Sequence, residues 1–359
     1  MIYREAGEFK ASYRADQAIL TIRQDRWFMW AMLAIAFVFI PSVASEYWLG
    51  TIMLPFLILA LAALGLNVLT GYAGQLSLGT GGFMATGAFA AYKLATMFPG
   101  MHILFVLLFS GFITAGVGIL FGIPSLRIKG FYLAVATLAS QFFLIWMFNK
   151  FGWFTNYSSS GVISAPPMSV IGDIEVTGAH ASMVAKYLFT LTIVALLALV
   201  TKNLVRSNIG REWMAVRDMD IAAEIIGIKM LSTKLKAFAY SSFLCGIAGA
   251  LWAFVHTGSV EPLAFDVNRS FQILFMIIIG GLGSIMGAFM GAAFIVLLPI
   301  LLTNAPHWFG LNIPVDMISH IEFMVFGALI IFFLIVEPHG LARLWQIAKE
   351  KLRLWPFPY

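Results

Sequence analysis

Apolar runs of about 20 residues recur along most of this 359-residue chain, and they restrict the folds that it can adopt. A helix of that length is what crosses the hydrocarbon core of a bilayer. Hydrophobic residues make up 61% of the sequence and charged residues only 11%, whereas about 25% of the residues in a typical soluble domain are charged. The sequence therefore excludes a soluble globule and predicts an all-α polytopic membrane protein, since helices satisfy their own backbone hydrogen bonds in lipid.

Ten apolar runs are candidate membrane spans, although the eighth is short. They are residues 27–45, 48–70, 80–97, 102–123, 131–148, 184–201, 236–256, 270–279, 284–302 and 318–336. Ten spans divide the chain into an N-terminal segment (1–26), a membrane domain (27–336) and a C-terminal tail (337–359). Within the membrane domain, residues 150–183 form the largest loop on one side, and residues 202–236 form the longest polar loop on the other.

The basic residues are divided unevenly between the two sides that ten spans define. One side, with both termini, loop 202–236 and the pair Arg127 and Lys129, carries 18 of the 22 Lys and Arg residues. The other side carries only Lys93, Lys150, Lys186 and Arg269. Because Lys and Arg mark the cytoplasmic side, we predict that both termini and loop 202–236 are cytoplasmic and that loop 150–183 is external.

Loop 202–236 contains a pattern that is typical of a short amphipathic helix over residues 210–228. At about 100° per residue, one stripe of this helix is apolar. The stripe consists of Met214, Ile221, Ile225 and Ile228. Gly227 stands where the pattern ends, which is the usual place of a left-handed helix-ending residue. Two interpretations remain open: the helix rests on lipid headgroups, or it is a docking helix for a soluble partner.

Two glycine-rich stretches, residues 71–87 and 280–291, lie 209 residues apart, in corresponding places of the first and second five spans. Paired glycine-interrupted segments indicate a transporter pathway, and halves of five spans each must be inverted. The alternative is that these glycines only allow close helix packing. The candidate pathway residues are Asn67, Gln75, Ser77, Gly79, Gly81, Gly280, Gly281 and Gly283.

No pattern in the sequence indicates catalysis. The phosphate-binding pattern G-x-x-x-x-G-K-[ST] is missing, the six histidines lack helical i, i+4 pairing, and Cys245 is the only cysteine. We therefore expect no catalytic residue, no metal site and no cofactor bound by this chain. The net charge of +5 follows the predicted topology, which favours lipid over nucleic acid as its partner.

Acidic residues are scarce in the predicted spans, where Glu322 is the only one well inside. An ion-coupled carrier for a small apolar solute usually needs a buried acid, so this function is disfavoured but stays open as an alternative. A purely structural membrane subunit is a further alternative. The pathway that we predict has no source of energy of its own, so the motor must be another protein.

Residues 54–341 resemble the permease subunits of bacterial branched-chain amino-acid ABC importers, in the second of the two permease types. The resemblance rests on the run 62–79, on a spaced pattern in the cytoplasmic loop, on Gly280-Gly281-Leu282-Gly283-Ser284 with Gly287, and on Glu337-Pro338-His339-Gly340-Leu341. The spaced pattern is Gly210, Arg211, Ala215, Arg217, Ala222, Ala223, Gly227 and Ile228. One departure is Ile221, which stands where many ABC importers have the glutamate of Glu-Ala-Ala-x-x-x-Gly.

The resemblance implies a permease in the bacterial inner membrane that forms half of a translocation pathway. It implies as partners a second permease subunit, two ATP-binding subunits that hold ATP and Mg, and a periplasmic solute-binding protein. The residues that it assigns to ATPase coupling are Arg211, Arg217, Ala222, Ala223, Glu224 and Gly227. Branched-chain amino acids are the implied solutes, with urea and short amides as the alternative within the same family.

Overall fold

The computed structural model describes Ala11 and residues 23–125, 131–158, 160–170, 175–178, 181–308, 315–337 and 339–354. Eight helical segments of this part are long and apolar enough to cross a membrane. They are Arg26–Val43, Trp48–Tyr72, Ile103–Pro124, Tyr132–Lys150, Met183–Arg206, Met230–Thr257, Pro262–Gly280 and Ile285–Asn304. Each overlaps a predicted span, and the prediction of an all-α polytopic membrane protein is confirmed.

The α-helices run in chain order as α1 Arg23–Ala34, α2 Ile40–Val43, α3 Leu54–Asn67, α4 Thr80–Met97, α5 Ile103–Ser125, α6 Phe131–Lys150, α7 Met183–Arg206, α8 Asn208–Asp218, α9 Asp220–Ile225, α10 Met230–Leu251, α11 Val267–Gly280, α12 Ile285–Trp308, α13 Val315–Val336 and α14 Gly340–Leu354. The other two predicted spans are helical too, as α4 and as α13, but they are not among the eight. α13 contains a shorter apolar stretch, Met324–Phe333.

Helices α3 and α10 form the centre of the bundle. α10 packs against α3, α4 and α5, and α3 packs in addition against α7, α11 and α12. Small residues let the backbones approach closely, since a Cβ on Gly87 of α4 would overlap the backbone of Gly246 of α10. This pair of central helices holds the connections that form the candidate site.

Both central helices end in a π-helical turn followed by a segment that is not α-helical. α3 continues as Val68–Tyr72 and then unwinds over residues 73–79, and α10 continues as Trp252–Thr257 before residues 258–266. In the first unwound segment Leu78 N donates to Thr137 Oγ1 at 2.9 Å. Such backbone is tolerated at membrane depth where protein covers it.

A short antiparallel pair joins the loop after α6 to the segment after α10. Strand β1, Ile163–Ser164, pairs with β2, Ser259–Val260, and Ile163 lies opposite Val260. Glu175 forms an isolated bridge with Ser169.

The C-terminal tail is not simply a polar tail, because residues 340–354 form helix α14. It packs against α11 and α12, and its Trp345 ring lies 5.8 Å from the ring of Phe28 in α1. The apolar residues that recur at helical spacing, Leu341, Leu344, Trp345 and Ala348, were a signal for this helix. Apart from Ala11, residues 1–22 of the predicted N-terminal segment lie outside the described residues, as do Arg127 and Lys129.

Candidate functional site

The predicted amphipathic helix of loop 202–236 is two helices, α8 and α9. The prediction of one helix over 210–228 is wrong because Met219 takes an extended conformation, with φ −154° and ψ 95°. Trp213 anchors α8: its side chain is 1% exposed, and its Nε1 donates to Thr233 O at 3.1 Å. Loop 202–236 is thus folded and packs against α10, and we call its helices α8 and α9 the platform.

Four large apolar side chains of this platform are uncovered. Met219, Ile221, Ile225 and Ile226 are 70–80% exposed, and we call them the exposed apolar patch. Only part of the predicted apolar stripe is therefore exposed, since Met214 is half-buried against the core. Contiguous exposed apolar residues mark an interaction surface.

The other predicted coupling residues surround the patch. Gly227 ends α9 with φ +91°, as predicted, and Ile228 N donates to Ala223 O at 3.0 Å across the turn. Ala222 and Glu224 are exposed, whereas Ala223 is 2% exposed and faces the protein. Ala223 therefore packs α9 against the bundle and does not belong to the exposed surface of that helix.

Arg217 links the platform to the first glycine stretch. Its Nη1 donates to Gly71 O at 2.7 Å, and its Nε pairs with Asp218 Oδ1 at 2.8 Å. The aliphatic part of Arg217 lies against Gly74, where a Cβ would approach its Cγ to 2.9 Å. Arg211 is exposed too, but its Nη2 donates to Asn208 Oδ1 within α8.

The two glycine stretches contact each other. The Asn67 side chain donates from Nδ2 to Ser284 O at 2.7 Å and accepts at Oδ1 from Gly283 N at 2.9 Å. A Cβ on Gly71 would overlap Gly283 N. We call these four residues, Asn67, Gly71, Gly283 and Ser284, the glycine junction.

The stretches do not occupy corresponding places in the two halves. The first follows α3 and precedes α4, whereas the second lies between α11 and α12. In the order of elements, the counterpart of the unwound segment 73–79 is the segment 258–266 after α10. The prediction that the two stretches occupy equivalent positions is therefore wrong, and they are related by direct contact instead.

The remaining predicted pathway glycines make close backbone contacts. Gly81 N donates to Ser270 Oγ of α11 at 2.8 Å, and a Cβ on Gly79 would come within 2.8 Å of Thr137 O. Gly280 packs directly on Gly287, and Gly281 packs on the His339 carbonyl ahead of α14. These contacts are those of tightly packed helices, which was the alternative explanation for the glycines.

Gln75 and Ser77 are buried in the unwound segment 73–79, with 3% and 2% of their surface exposed. Ser77 Oγ accepts from Gly79 N at 3.3 Å. Neither amide atom of Gln75 has a hydrogen-bond partner among the described residues. A buried amide without partners is costly, so Gln75 is the polar group of this segment that is open to a ligand or to water.

In the part of the chain that the structure describes, no three His, Cys, Asp or Glu residues are grouped closely enough to hold a metal ion. One polar cluster, around Arg269 at the start of α11, was not predicted from the sequence. Its signal was a single basic residue on the sparsely charged side. The geometry thus offers three features: the platform, the glycine junction and a polar cluster around Arg269 at the start of α11.

Comparison with known proteins places these features in context. The profile of a family described as the permease component of the branched-chain amino acid transport system matches residues 49–334. A high-affinity branched-chain amino acid transport system permease protein LivM of Salmonella typhimurium is 28% identical over 345 residues, covering 89% of this chain and 75% of that protein. The LivM protein of Escherichia coli is 28% identical over 331 residues, covering 86% of this chain and 72% of that protein.

A more distant relative is a probable branched-chain amino acid transport permease protein LivM of Methanocaldococcus jannaschii. It is 27% identical over 251 residues, covering 67% of this chain and 68% of that protein. No solved structure matches this chain.

Proposed function

Because this chain belongs to the family of branched-chain amino acid transport permeases, we propose that it is the membrane subunit of an ATP-driven importer and forms half of its pathway. Its solutes are branched-chain amino acids, as in the names of its relatives. The chain catalyses nothing itself: ATP and Mg bind to partner subunits. We place it in the bacterial inner membrane with loop 202–236 in the cytoplasm, as its basic residues favour.

The observation that carries this proposal is the bond from Arg217 to the Gly71 carbonyl. The exposed apolar patch lies on the same platform as Arg217, and Gly71 belongs to the glycine junction. A subunit that seats on the patch and moves it therefore displaces Arg217, and with it the contact between the two glycine stretches. This route transmits ATP-driven motion into the membrane domain.

The partners follow from the family. Two ATP-binding subunits contact this chain and a second permease subunit, one platform each, and a periplasmic solute-binding protein delivers the solute to loop 150–183. The apolar character of the patch supports a protein partner for the platform, because uncovered Ile221 and Ile225 are stabilised by burial.

An inverted repeat of five plus five spans is part of the proposal and is supported by the packing. The helix α3 packs against α11 and α12, and α10 packs against α4 and α5. This exchange is expected if α3, α4 and α5 are related to α10, α11 and α12 by a two-fold axis in the membrane plane. Both central helices also end in a π-helical turn and an unwound segment.

The unwound segment 73–79 lines the pathway in this proposal. The side chain of Gln75 offers the N–H donors of Nε2 and the acceptor Oε1, which no described residue uses, and Ser77 follows on the same segment. Uncharged groups of this kind suit a zwitterionic solute without holding it tightly. Motion at the glycine junction, four residues before Gln75, turns this segment towards or away from the pathway.

The test replaces Arg217 by alanine in the complete importer, reconstituted in vesicles, with Arg211→Ala as the matched control. We expect Arg217→Ala to import about 10-fold less solute for each ATP hydrolysed, since a hydrogen bond from a charged group contributes about 1.5–3 kcal/mol. The ATP-binding subunits should stay bound, because the patch is unchanged.

Arg211→Ala should import at close to the wild-type rate, since among the described residues its side chain bonds only Asn208 of α8. Arg217→Lys, which keeps the charge, should recover part of the coupling and shows whether a loss reflects misfolding. Equal coupling in Arg217→Ala and wild type would rule out the transmission route. Uptake that persists without ATP and collapses with an ion gradient would favour the ion-coupled carrier instead.

A further inference from the structure

Arg269 places a positive charge near the start of the mainly apolar segment Pro262–Gly280, whose other charged residue is Asp266. It lies in the first turn of α11 and is partly buried. Its guanidinium carbon lies 4.3 Å from the centre of the Trp252 ring, and its Nη1 donates to Gln272 Oε1 at 2.8 Å. A charged side chain within a membrane span usually marks a functional site and is usually paired with another polar group.

In the described part of the chain, no carboxylate oxygen lies within 4 Å of this guanidinium. The nearest acid in the chain, Asp266, caps α11: its Oδ1 accepts from Arg269 N at 3.1 Å and its Oδ2 accepts from Asn268 Nδ2 at 2.7 Å. Among the residues with described positions, no ion pair involves Arg269. The charge therefore has room for an anionic partner that the described residues do not supply.

A second donor without a partner stands beside the guanidinium. Trp252 is 7% exposed, and its Nε1 has no hydrogen-bond partner in the described part of the chain. His256 also contacts this indole, and the centre of its ring lies 4.5 Å from that of Trp252. A buried N–H without an acceptor is rare in proteins, so an acceptor from outside the chain is expected here.

We propose that Arg269 and Trp252 bind the carboxylate of the transported amino acid, at the end of the bundle opposite the platform. This inference rests on the proposed import function and names the part of the solute that is recognised. A guanidinium binds carboxylate oxygens through charge-assisted hydrogen bonds, and the positive end of the α11 dipole adds to the attraction. Urea and simple amides have no carboxylate, so this site favours amino acids over those alternative solutes.

The test measures equilibrium binding of radiolabelled leucine to the detergent-purified importer, without the solute-binding protein. We expect Arg269→Gln to weaken binding at least 10-fold and Arg269→Lys to weaken it less, since lysine keeps the charge. Trp252→Phe removes only the indole N–H and should weaken binding several-fold. Leu263→Ser, an exposed position in the same outer segment, is the matched control and should bind as wild type does.

Competition identifies the group that is bound. We expect 4-methylpentanoate, which keeps the carboxylate, to displace leucine, and 3-methylbutylamine, which lacks it, to fail. Equal binding to wild type and Arg269→Gln, absence of saturable binding to wild type, or equal competition by the amine would overturn the inference. ATP-driven leucine uptake by the wild-type importer, measured in parallel, shows whether the proposed function fails as well or stands alone.

Discussion

At the scale of single residues, Asn67 joins parts of the chain that are far apart in sequence. Both ends of its side-chain amide are used, by Ser284 O and by Gly283 N, and the side chain is fully buried. Removing either end would leave buried polar backbone without a partner, which costs about 1–3 kcal/mol. The glycine junction therefore depends on one asparagine and on the absence of side chains at two glycines.

Gly71→Ala tests how tightly the junction is packed. The added methyl group would overlap Gly283 N and Asn67 Oδ1, so we expect a loss of about 1–3 kcal/mol, seen as a lower midpoint of thermal unfolding in detergent. Gly116→Ala is the control, because a Cβ there meets nothing within 4 Å and the site is an exposed helix position. Equal midpoints for the two variants would show that the junction is loosely packed.

Sequence reasoning found the residues of the junction but not their contacts. Asn67 and Gly283 were both chosen as pathway candidates, yet no local pattern relates residues 216 positions apart. Gln75 was chosen for its polarity, and its missing partners became visible only in three dimensions. Arg269 was noticed only as one of four basic residues on the outer side, because its site is formed by the fold.

At the scale of elements, the platform shows what helical periodicity predicts and what it does not. The spacing of apolar residues correctly predicted helical structure and its end at Gly227. It did not predict the break at Met219, nor that Ala223 faces the bundle while Ile225 faces away. An apolar stripe looks the same in sequence whether its own chain or a partner covers it. Helix α14 was not predicted, because residues 337–359 follow the last apolar run and were expected to form only a polar tail.

The double variant Ile221→Ser with Ile225→Ser tests the patch as a docking surface. Both side chains are more than 70% exposed, so their loss should leave the fold of this chain unchanged and reduce retention of the ATP-binding subunit at least 10-fold. Co-purification through a tag on this chain measures that retention. Leu263→Ser, equally exposed on the opposite side, is the control and should retain the subunit in full.

If the double variant keeps its ATP-binding subunits through purification, the patch is not the docking surface. The interpretation in which α9 rests on lipid headgroups would then be preferred.

At the scale of the whole molecule, the apolar runs predicted the architecture because the bilayer fixes the length of a span. Boundaries were less accurate where the backbone is irregular. The short predicted span 270–279 is part of a longer segment, Pro262–Gly280, which begins in a 3-10 turn. No pattern in the sequence predicts that β1 and β2 tie loop 150–183 to the segment after α10.

The sidedness of the platform is the most direct test of the account, because a motor that uses ATP must reach it from the cytoplasm. Cysteine replaces Ile226, which is 74% exposed on the platform, or the exposed outer-loop residue Ser160. The native Cys245 is buried and should not react. A membrane-impermeant thiol reagent added to intact cells should label Ser160→Cys at once and Ile226→Cys only after the cells are opened. Labelling of Ile226→Cys in intact cells would contradict the account.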